Sequence, residues 1–267
     1  MTSTDAAFSG SIPALYDRCL GPLLFQPYAE DLARRVAGLA PRRILETAAG
    51  TGIVTEALAQ ALPQAQIVAT DLNQAMLDVA ATRVRSAGVS FRQADAQALP
   101  FPDAGFDAVV CQFGAMFFPD RVLAYREARR VLRPGGRFLF NVWNRLDLNP
   151  VSDIVASSVA AIFPDDPPSF LSRTPFGYHQ MERVEADLRA AGFEAIESET
   201  VALESRVASP SAAAAGLCEG SPLRSEIEQR DPGGLAKATL AAADALTKRG
   251  YGSGAASPLS AHVFSAA

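Results

Sequence analysis

The chain has 267 residues, 49% of them hydrophobic, and a formal net charge of -5. This composition supports a sizeable core, and the apolar runs are shorter than the roughly 18 residues of a membrane-spanning helix, so we expect no membrane partner. The negative charge argues against a nucleic-acid partner, because binding a phosphate backbone requires clustered cations.

Two further features of composition bear on location and metal binding. The polar start at Met1 lacks the basic and apolar regions of a signal peptide, which indicates a cytoplasmic protein. The cysteines lack metal-type spacing, so we expect free thiols and no metal; they are Cys19, Cys111 and Cys218.

Strand and helix patterns alternate between Arg42 and Trp143, as a doubly wound parallel α/β sheet requires. Pro134, Gly135 and Gly136 predict a turn that launches the fifth strand. Apolar runs predict strands near 43–46, 66–70, 89–93, 107–112 and 137–143, and helical spacing predicts helices near 52–62, 73–87 and 120–132.

The regular alternation ends after Trp143. The pattern then predicts a helix at 151–163, a loop at 164–179, a helix at 181–191, a strand at 193–206, alanine-rich helices at 210–218 and 221–248, and a strand at 258–265. We therefore divide the chain into an N-terminal helical segment (1–40), a ligand-binding core (41–145), an insertion (146–180), a helix and strand that complete the sheet (181–206), a helical insertion (207–256) and a terminal strand (257–267).

The first predicted strand ends in a carboxylate, Glu46, and a loop of small residues. Gly50 and Gly52 allow the backbone to turn tightly and approach a ligand. The second strand ends at Asp71, 19 positions after Gly52, where dinucleotide-type folds place the acid that binds ribose hydroxyls. Two strands therefore bring two acids to one crevice.

The residues of this loop discriminate between nucleoside cofactors. Thr55 occupies the third glycine position of the nicotinamide fingerprint, and an ionised Glu46 would repel a diphosphate. S-adenosylmethionine carries two cationic groups, has no phosphate and keeps the ribose, so the sequence favours it. Each residue also has a structural interpretation: Asp71 and Asp95 are candidate helix caps, and Met76 is a candidate core residue.

Five motifs, in order, resemble the class I S-adenosylmethionine-dependent methyltransferases, especially the ubiquinone-biosynthesis-type (methyltransferase type 11) group with small-molecule acceptors. They lie at 44–52, 69–73, 93–101, 106–113 and 130–138. The resemblance implies a Rossmann-like seven-stranded sheet and S-adenosylmethionine as cofactor, with S-adenosylhomocysteine as product. One departure is Ala48, since the family often has glycine there.

The resemblance also implies a role for individual residues. Glu46 and the loop through Gly50 would hold the methionine end of the cofactor, and Asp71 would bind both ribose hydroxyls. Further cofactor contacts are then expected from Ala48, Gly52, Leu72, Met76, Asp95, Ala96 and Gln112, of which Asp95 and Ala96 meet the adenine edge, Leu72 and Met76 its face, and Gln112 the methionine side.

Aromatic and sulfur-bearing residues gather in the segments where the resemblance puts the methyl acceptor, and half of them are as readily explained as core. The predicted pocket residues are Tyr16, Tyr28, Phe113, Met116, Phe117, Trp143, Phe176 and Tyr178. Such a wall suits an apolar or aromatic acceptor. His179 is the candidate general base, against the alternative of a structurally bonded histidine, and His262 is a weaker candidate.

The predicted function is S-adenosylmethionine-dependent methylation of a small apolar or aromatic molecule at oxygen, nitrogen or carbon. One alternative is a methyltransferase-like protein that binds the cofactor but catalyses another reaction or only binds a ligand. The other is a nicotinamide oxidoreductase. The two insertions are predicted to form a cover over the cofactor, and a contact in a homodimer is the alternative role.

Overall fold

The computed structural model describes residues 12–267. Residues 1–11 lie outside the described residues, and with them the polar start and the beginning of the predicted N-terminal segment 1–40. The described part of that segment is helical, with α1 at Ile12–Leu15, a π-helical stretch at Tyr16–Phe25 and α2 at Gln26–Ala37. Pro22 lies inside the π-helical stretch, where its missing N–H removes one main-chain donor.

Seven strands form one mixed sheet in the order β3-β2-β1-β4-β5-β7-β6. β1 pairs in parallel with β2 and β4, β2 with β3, and β4 with β5, while β7 runs antiparallel to β5. The predicted seven-stranded α/β sheet is therefore confirmed. The strands are β1 Arg43–Glu46, β2 Gln66–Asp71, β3 Val89–Gln93, β4 Phe106–Gln112, β5 Leu132–Trp143, β6 Ile196–Arg206 and β7 Ala256–Ala266.

Apart from α7, α10 and α11, the remaining helices follow the predicted order with small changes at their ends. Asp120 caps α5, since its carboxylate accepts from the N–H of Leu123 at 2.9 Å. Ser209 caps α9, since its hydroxyl oxygen accepts from the N–H of Ala212 at 3.0 Å. The helices are α3 Ile53–Ala61, α4 Gln74–Arg83, α5 Arg121–Val131, α6 Pro150–Ala160, α7 Phe170–Arg173, α8 Met181–Ala190, α9 Pro210–Cys218, α10 Leu223–Arg230 and α11 Leu235–Lys248, with single 3₁₀ turns at Ala115–Phe117 and Leu146–Leu148.

Three predictions of local structure were wrong. The predicted turn at 134–136 lies inside a longer β5, as an irregularity where the pairing register shifts between Phe106 and Ala108 of β4. The predicted loop 164–179 contains the one-turn helix α7, whose first N–H groups at Ser169 and Phe170 donate to the Glu226 carboxylate at 2.7 and 3.0 Å.

The third error is the single helix predicted at 221–248, which is two helices. The break runs from Asp231 to Gly234, where Pro232 lacks a donor and two glycines follow. The Asp231 carboxylate accepts from the N–H of Gly233 at 3.1 Å and closes the turn.

The chain forms two compact units, and each is discontinuous in sequence. The first comprises the described residues up to Pro27 together with Asn144–Gly177 and Ala202–Ser260; the second comprises Tyr28–Trp143, Tyr178–Val201 and Ala261–Ala267. The six consecutive segments proposed from sequence stay a prediction. No helix within residues 12–267 has the length and apolar character needed to cross a membrane.

Each unit has its own core. In the first, Gly216 of α9 lies so close to the π-helical stretch that a Cβ there would come within 2.6 Å of Leu20. In the second, Phe138 and Phe140 of β5 stack with ring centroids 4.7 Å apart, and Phe264 of β7 stacks on Phe140 at 5.0 Å. The edge of the parallel strands that carries the predicted ligand residues belongs to this second unit.

Candidate functional site

The loop between β1 and α3 has the backbone that its glycines predict. Gly50 has φ +56° and Gly52 has φ +81°, both in the left-handed region that favours glycine. An added Cβ at Gly52 would lie 2.8 Å from the Cβ of Ala80, whereas one at Gly50 would meet nothing within 4 Å. Gly52 is therefore required by packing of α3 on α4, while Gly50 faces open space that a ligand can use.

Ala48, at the position where the resemblance has glycine, is in the left-handed region with φ +52°. Space for its methyl group comes from Gly114, because a Cβ on Gly114 would lie 2.5 Å from the Cβ of Ala48. The alanine that departs from the family pattern therefore places strain in the backbone of this loop.

Glu46 at the end of β1 is 1% exposed. The Thr55 hydroxyl donates a hydrogen bond of 2.6 Å to its Oε2. Burial raises the pKa of Glu46 to about 8, the neighbouring Asp71 acts in the same direction, and the Thr55 hydrogen bond opposes them. The expectation from sequence assumes an ionised Glu46, whereas burial favours its neutral form when no cation is near.

Asp71 at the end of β2 is joined to the glycine loop. Its Oδ2 accepts from the N–H of Gly50 at 2.9 Å and its Oδ1 from the N–H of Asn73 at 2.8 Å. Because α4 begins at Gln74 with Asn73 as its N-cap, Asp71 does not cap this helix. Burial raises the pKa of Asp71, and the bonds from Asn73 and Gly50 oppose that shift.

The residues predicted to meet adenine follow β2 and β3. Leu72 is 53% exposed beside the buried Asp71, whereas Met76 is buried in α4. Asp95 is half-buried and accepts from the N–H of Gln97 at 2.8 Å, which makes a turn and not the helix cap that was the alternative. Ala96 is half-buried in the same turn. Their contacts with adenine stay a prediction.

Three predicted pocket residues meet at the carboxyl ends of β4 and β5. The Phe113 ring lies 3.7 Å from Trp143 with an angle of 3° between their planes, and Tyr28 is edge-on to both, at 5.3 and 5.5 Å. All three rings are buried, and the Tyr28 hydroxyl donates to the carbonyl of Val201 at 2.8 Å. Met116 and Phe117 form the 3₁₀ turn that follows, Met116 buried and Phe117 half-buried.

Asn141 of β5 supports this corner and had no signal in the sequence. It is 0% exposed and pairs with Gln112, the predicted methionine-side residue, across the strands. Its Oδ1 accepts from the N–H of Phe113 at 3.0 Å, while Phe113 holds a left-handed φ of +49°.

The other predicted pocket residues have different surroundings. Tyr16 and Phe176 belong to the first unit, where Tyr16 stacks on Phe25 at 4.8 Å and Phe176 is buried. Tyr178 belongs to the second unit and donates a 2.6 Å hydrogen bond to Asp187. Its buried hydroxyl thus already has a partner in the protein. Contacts of these residues with an acceptor stay a prediction.

The two histidines of the chain are neighbours, although 83 positions separate them. His262 is buried, its Nδ1 lies 2.9 Å from the Thr200 hydroxyl, and it also bonds the backbone of His179. Burial lowers the pKa of His262. His262 is therefore a structurally bonded histidine, and a catalytic role for the half-buried His179 stays a prediction.

Comparison with known proteins identifies the family. A family model described as a methyltransferase domain matches residues 45–140. A demethylmenaquinone methyltransferase of Deinococcus radiodurans is 32% identical over 170 residues, which cover 57% of this chain and 68% of that protein. The chain belongs to the class I S-adenosylmethionine-dependent methyltransferases.

Two other matches of this methyltransferase are a shorter alignment and a structure that is less similar in sequence. A demethylmenaquinone methyltransferase of Thermus thermophilus is 45% identical over 113 residues, and the match spans 42% of this chain and half (50%) of that relative. The solved structure of the cyclase SpnF matches with a TM-score of 0.60 at 22% identity, and the match covers 96% of this chain and 92% of the SpnF chain. This similarity shows the fold alone.

The residues present fit the cofactor of this methyltransferase family. Gly50 borders open space, and Asp71 is an acceptor oriented by two main-chain N–H groups. Leu72 beside it offers an exposed apolar side chain, and Glu46 is a buried carboxyl whose charge a cation would stabilise. Among residues 12–267 no group of His, Cys, Asp and Glu is arranged to hold a metal.

Proposed function

We propose that this methyltransferase transfers the sulfonium methyl group of S-adenosylmethionine to a small aromatic molecule that carries oxygen. The observation that carries the proposal is the hydrogen bond from the Gly50 N–H to Asp71, which joins the glycine loop of β1 to the acid of β2. This join supports a site for the ribose and methionine parts of one cofactor.

Each acid has a separate task in binding. Asp71 accepts from the ribose hydroxyls, and the N–H groups of Gly50 and Asn73 keep its carboxylate oriented. Glu46 becomes ionised when a cation lies nearby, and the Thr55 hydroxyl holds its carboxylate in place. When bound, the cofactor supplies an electrophilic methyl group on a positively charged sulfur.

The aromatic residues support the class of acceptor. Tyr28, Phe113 and Trp143 lie at the carboxyl ends of β4 and β5, beside Gln112. Two relatives are named as methyltransferases of demethylmenaquinone, which is a quinone-type molecule. A phenol or quinol of similar shape is the acceptor class that we propose here.

The main work of the protein in this reaction is orientation. Displacement at the methyl group requires the acceptor oxygen or carbon in line with the breaking bond, and well-oriented groups gain as much as roughly 7–11 kcal/mol from this. The buried apolar rings of Tyr28 and Trp143 help to exclude water from the nucleophile. His179 would accept a proton where the acceptor holds one at neutral pH.

A second candidate is a cofactor-binding protein that catalyses another reaction, because one solved structure of the same fold is a cyclase by name. Incubation of the full chain with S-adenosylmethionine and a panel of phenols and quinols, with S-adenosylhomocysteine as the measured product, separates the two. Product that forms only with an acceptor supports methyl transfer. Tight cofactor binding without product across the panel would favour the second candidate.

A calorimetric titration with a nicotinamide dinucleotide is the control for cofactor class. We expect binding of S-adenosylmethionine and none of the dinucleotide, since Thr55 replaces the third glycine of the nicotinamide fingerprint. The homodimer, the cytoplasmic location and the absence of nucleic-acid partners stay predictions.

A further inference from the structure

Three unfavourable features coincide at the corner between β4 and β5. Phe113 is a bulky residue with a left-handed φ of +49°. Such strained backbone conformations cluster at functional sites. Its ring and that of Trp143 are nearly parallel, at 3° and 3.7 Å, which leaves little lateral offset. Aromatic pairs prefer an offset or edge-on arrangement over such face-to-face stacking.

The third feature is the amide of Asn141. Its Oδ1 accepts from the N–H of Phe113, but its Nδ2 is buried without a hydrogen-bond partner among residues 12–267. A buried donor without an acceptor is unfavourable. The Asn141 Nδ2 group is therefore available to donate a hydrogen bond to a bound ligand.

We infer that the Phe113 ring occupies the binding place of a planar ligand ring on Trp143, and that Asn141 Nδ2 donates to an oxygen of that ligand. The ligand is a flat aromatic ring with an oxygen acceptor, such as a phenol, quinol or quinone. The assignment of this ligand as the methyl acceptor rests on the proposed function.

Displacement of Phe113 removes each of the three features. A ligand ring takes its place on Trp143, with Tyr28 still edge-on, and Phe113 returns to an ordinary backbone conformation. The Phe113 N–H need not lose its acceptor, because the main-chain carbonyl of Asn141 lies 3.2 Å from it. The Asn141 amide is then available to the ligand.

A displaced Phe113 and a residue of the pocket wall are expected to have opposite effects on ligand affinity when they are truncated. A wall residue contacts the ligand, so its truncation weakens binding, whereas truncation of a residue that competes with the ligand strengthens binding. Phe113→Ala should therefore raise affinity for 2-naphthol by about threefold or more, and Trp143→Leu should lower it by about tenfold. Phe101→Ala is the matched control, since Phe101 pairs with Phe106 in the favourable edge-on geometry at 5.3 Å and 87°.

Asn141→Leu separates the oxygen contact from the stacking. Binding of 2-naphthol should weaken by about fivefold, because its hydroxyl oxygen loses a donor, while binding of 2-methylnaphthalene should not weaken. The affinities are measured by calorimetry with the full chain saturated with S-adenosylhomocysteine. Weaker 2-naphthol binding by Phe113→Ala, or equal losses for both probes in Asn141→Leu, would overturn the inference.

A second measurement avoids any effect of truncation on folding. Incorporation of 4-fluorophenylalanine at position 113 alone gives one fluorine resonance, which should move towards the value of a solvent-exposed ring when 2-naphthol saturates the protein. An unmoved resonance at saturation would reject displacement. None of these measurements involves methyl transfer, so failure of the proposed function and failure of this inference are distinguishable.

Discussion

The hydroxyl of Thr55 donates to the carboxyl of Glu46 at 2.6 Å inside the second unit. Thr55 occupies the position where a nicotinamide fingerprint has its third glycine, and its hydrogen bond opposes the rise in the Glu46 pKa. The loop therefore contains a carboxyl whose charge depends on what lies beside it.

The first prediction concerns the stability of the free protein. The folded pKa of Glu46, about 8, is above the ordinary value of 4.5, so its contribution to stability is complete below 4.5 and is lost as pH rises through about 8. The Gln side chain of Glu46→Gln stays neutral. The free energy of unfolding of this variant, relative to that of the native chain, should therefore be higher at pH 9 than at pH 5. Urea unfolding at both pH values measures this, and an equal difference at both would show an ordinary pKa.

The second prediction concerns cofactor affinity. A cation favours the ionised form of Glu46, so binding releases a proton and affinity for S-adenosylmethionine should rise with pH, by at most about tenfold per unit below pH 8. Calorimetry in buffers of different ionisation enthalpy detects the proton. Glu46→Gln should abolish the pH dependence and weaken S-adenosylmethionine more than S-adenosylhomocysteine. Equal losses for the two ligands would mean that Glu46 meets only the ammonium group.

The third prediction is that Asp71→Ala weakens S-adenosylmethionine binding at least about tenfold, because hydrogen bonds to a charged group contribute about 1.5–3 kcal/mol. Asp120→Ala is the matched control, since this acid caps α5 and its loss should lower stability without changing affinity. Asp95→Ala should act more weakly than Asp71→Ala, because water can replace its adenine contact. Unchanged affinity in a folded Asp71→Ala protein would show that Asp71 only bonds the main chain of the loop and does not bind the ribose.

The fourth prediction is that Ala48→Gly raises the free energy of unfolding by about 0.5–1 kcal/mol. Removal of the left-handed strain at φ +52° outweighs the added flexibility of the unfolded chain. Ala124→Gly, at a buried site inside α5, is the control and should lower stability by about 1 kcal/mol. A loss of stability in Ala48→Gly would show that methyl packing dominates.

The fifth prediction is that residues 164–180 and 209–254, which are parts of the two insertions, form a mobile cover. Amide hydrogen exchange should slow in both segments when S-adenosylmethionine and an acceptor are added, while the buried strand β4 changes little. Strong protection of both segments in the free protein would reject the cover. Protection that varies with protein concentration would favour an oligomer contact.

Local chemistry was sufficient to predict most of the fold. The alternation of apolar patterns predicted the strands, and parallel strands share one carboxyl edge, so Glu46 and Asp71 were expected to meet there. The conformation of the loop glycines was also predictable from sequence, because only glycine adopts a left-handed backbone without strain. The boundaries of β5 and α10 were not readable, since register and helix breaks depend on the partners of each segment.

The properties of the site depended on residues distant in sequence, and tertiary structure alone decided them. The charge of Glu46 is set by burial, which no local pattern reports. The Asn141 amide reaches Phe113 across 28 positions, and His262 reaches His179 across 83. Sequence by itself therefore determined the fold, the family and the cofactor, because these depend on local patterns. Only the packed structure decided which groups are neutral, strained or bonded, because those states depend on neighbours that folding brings together.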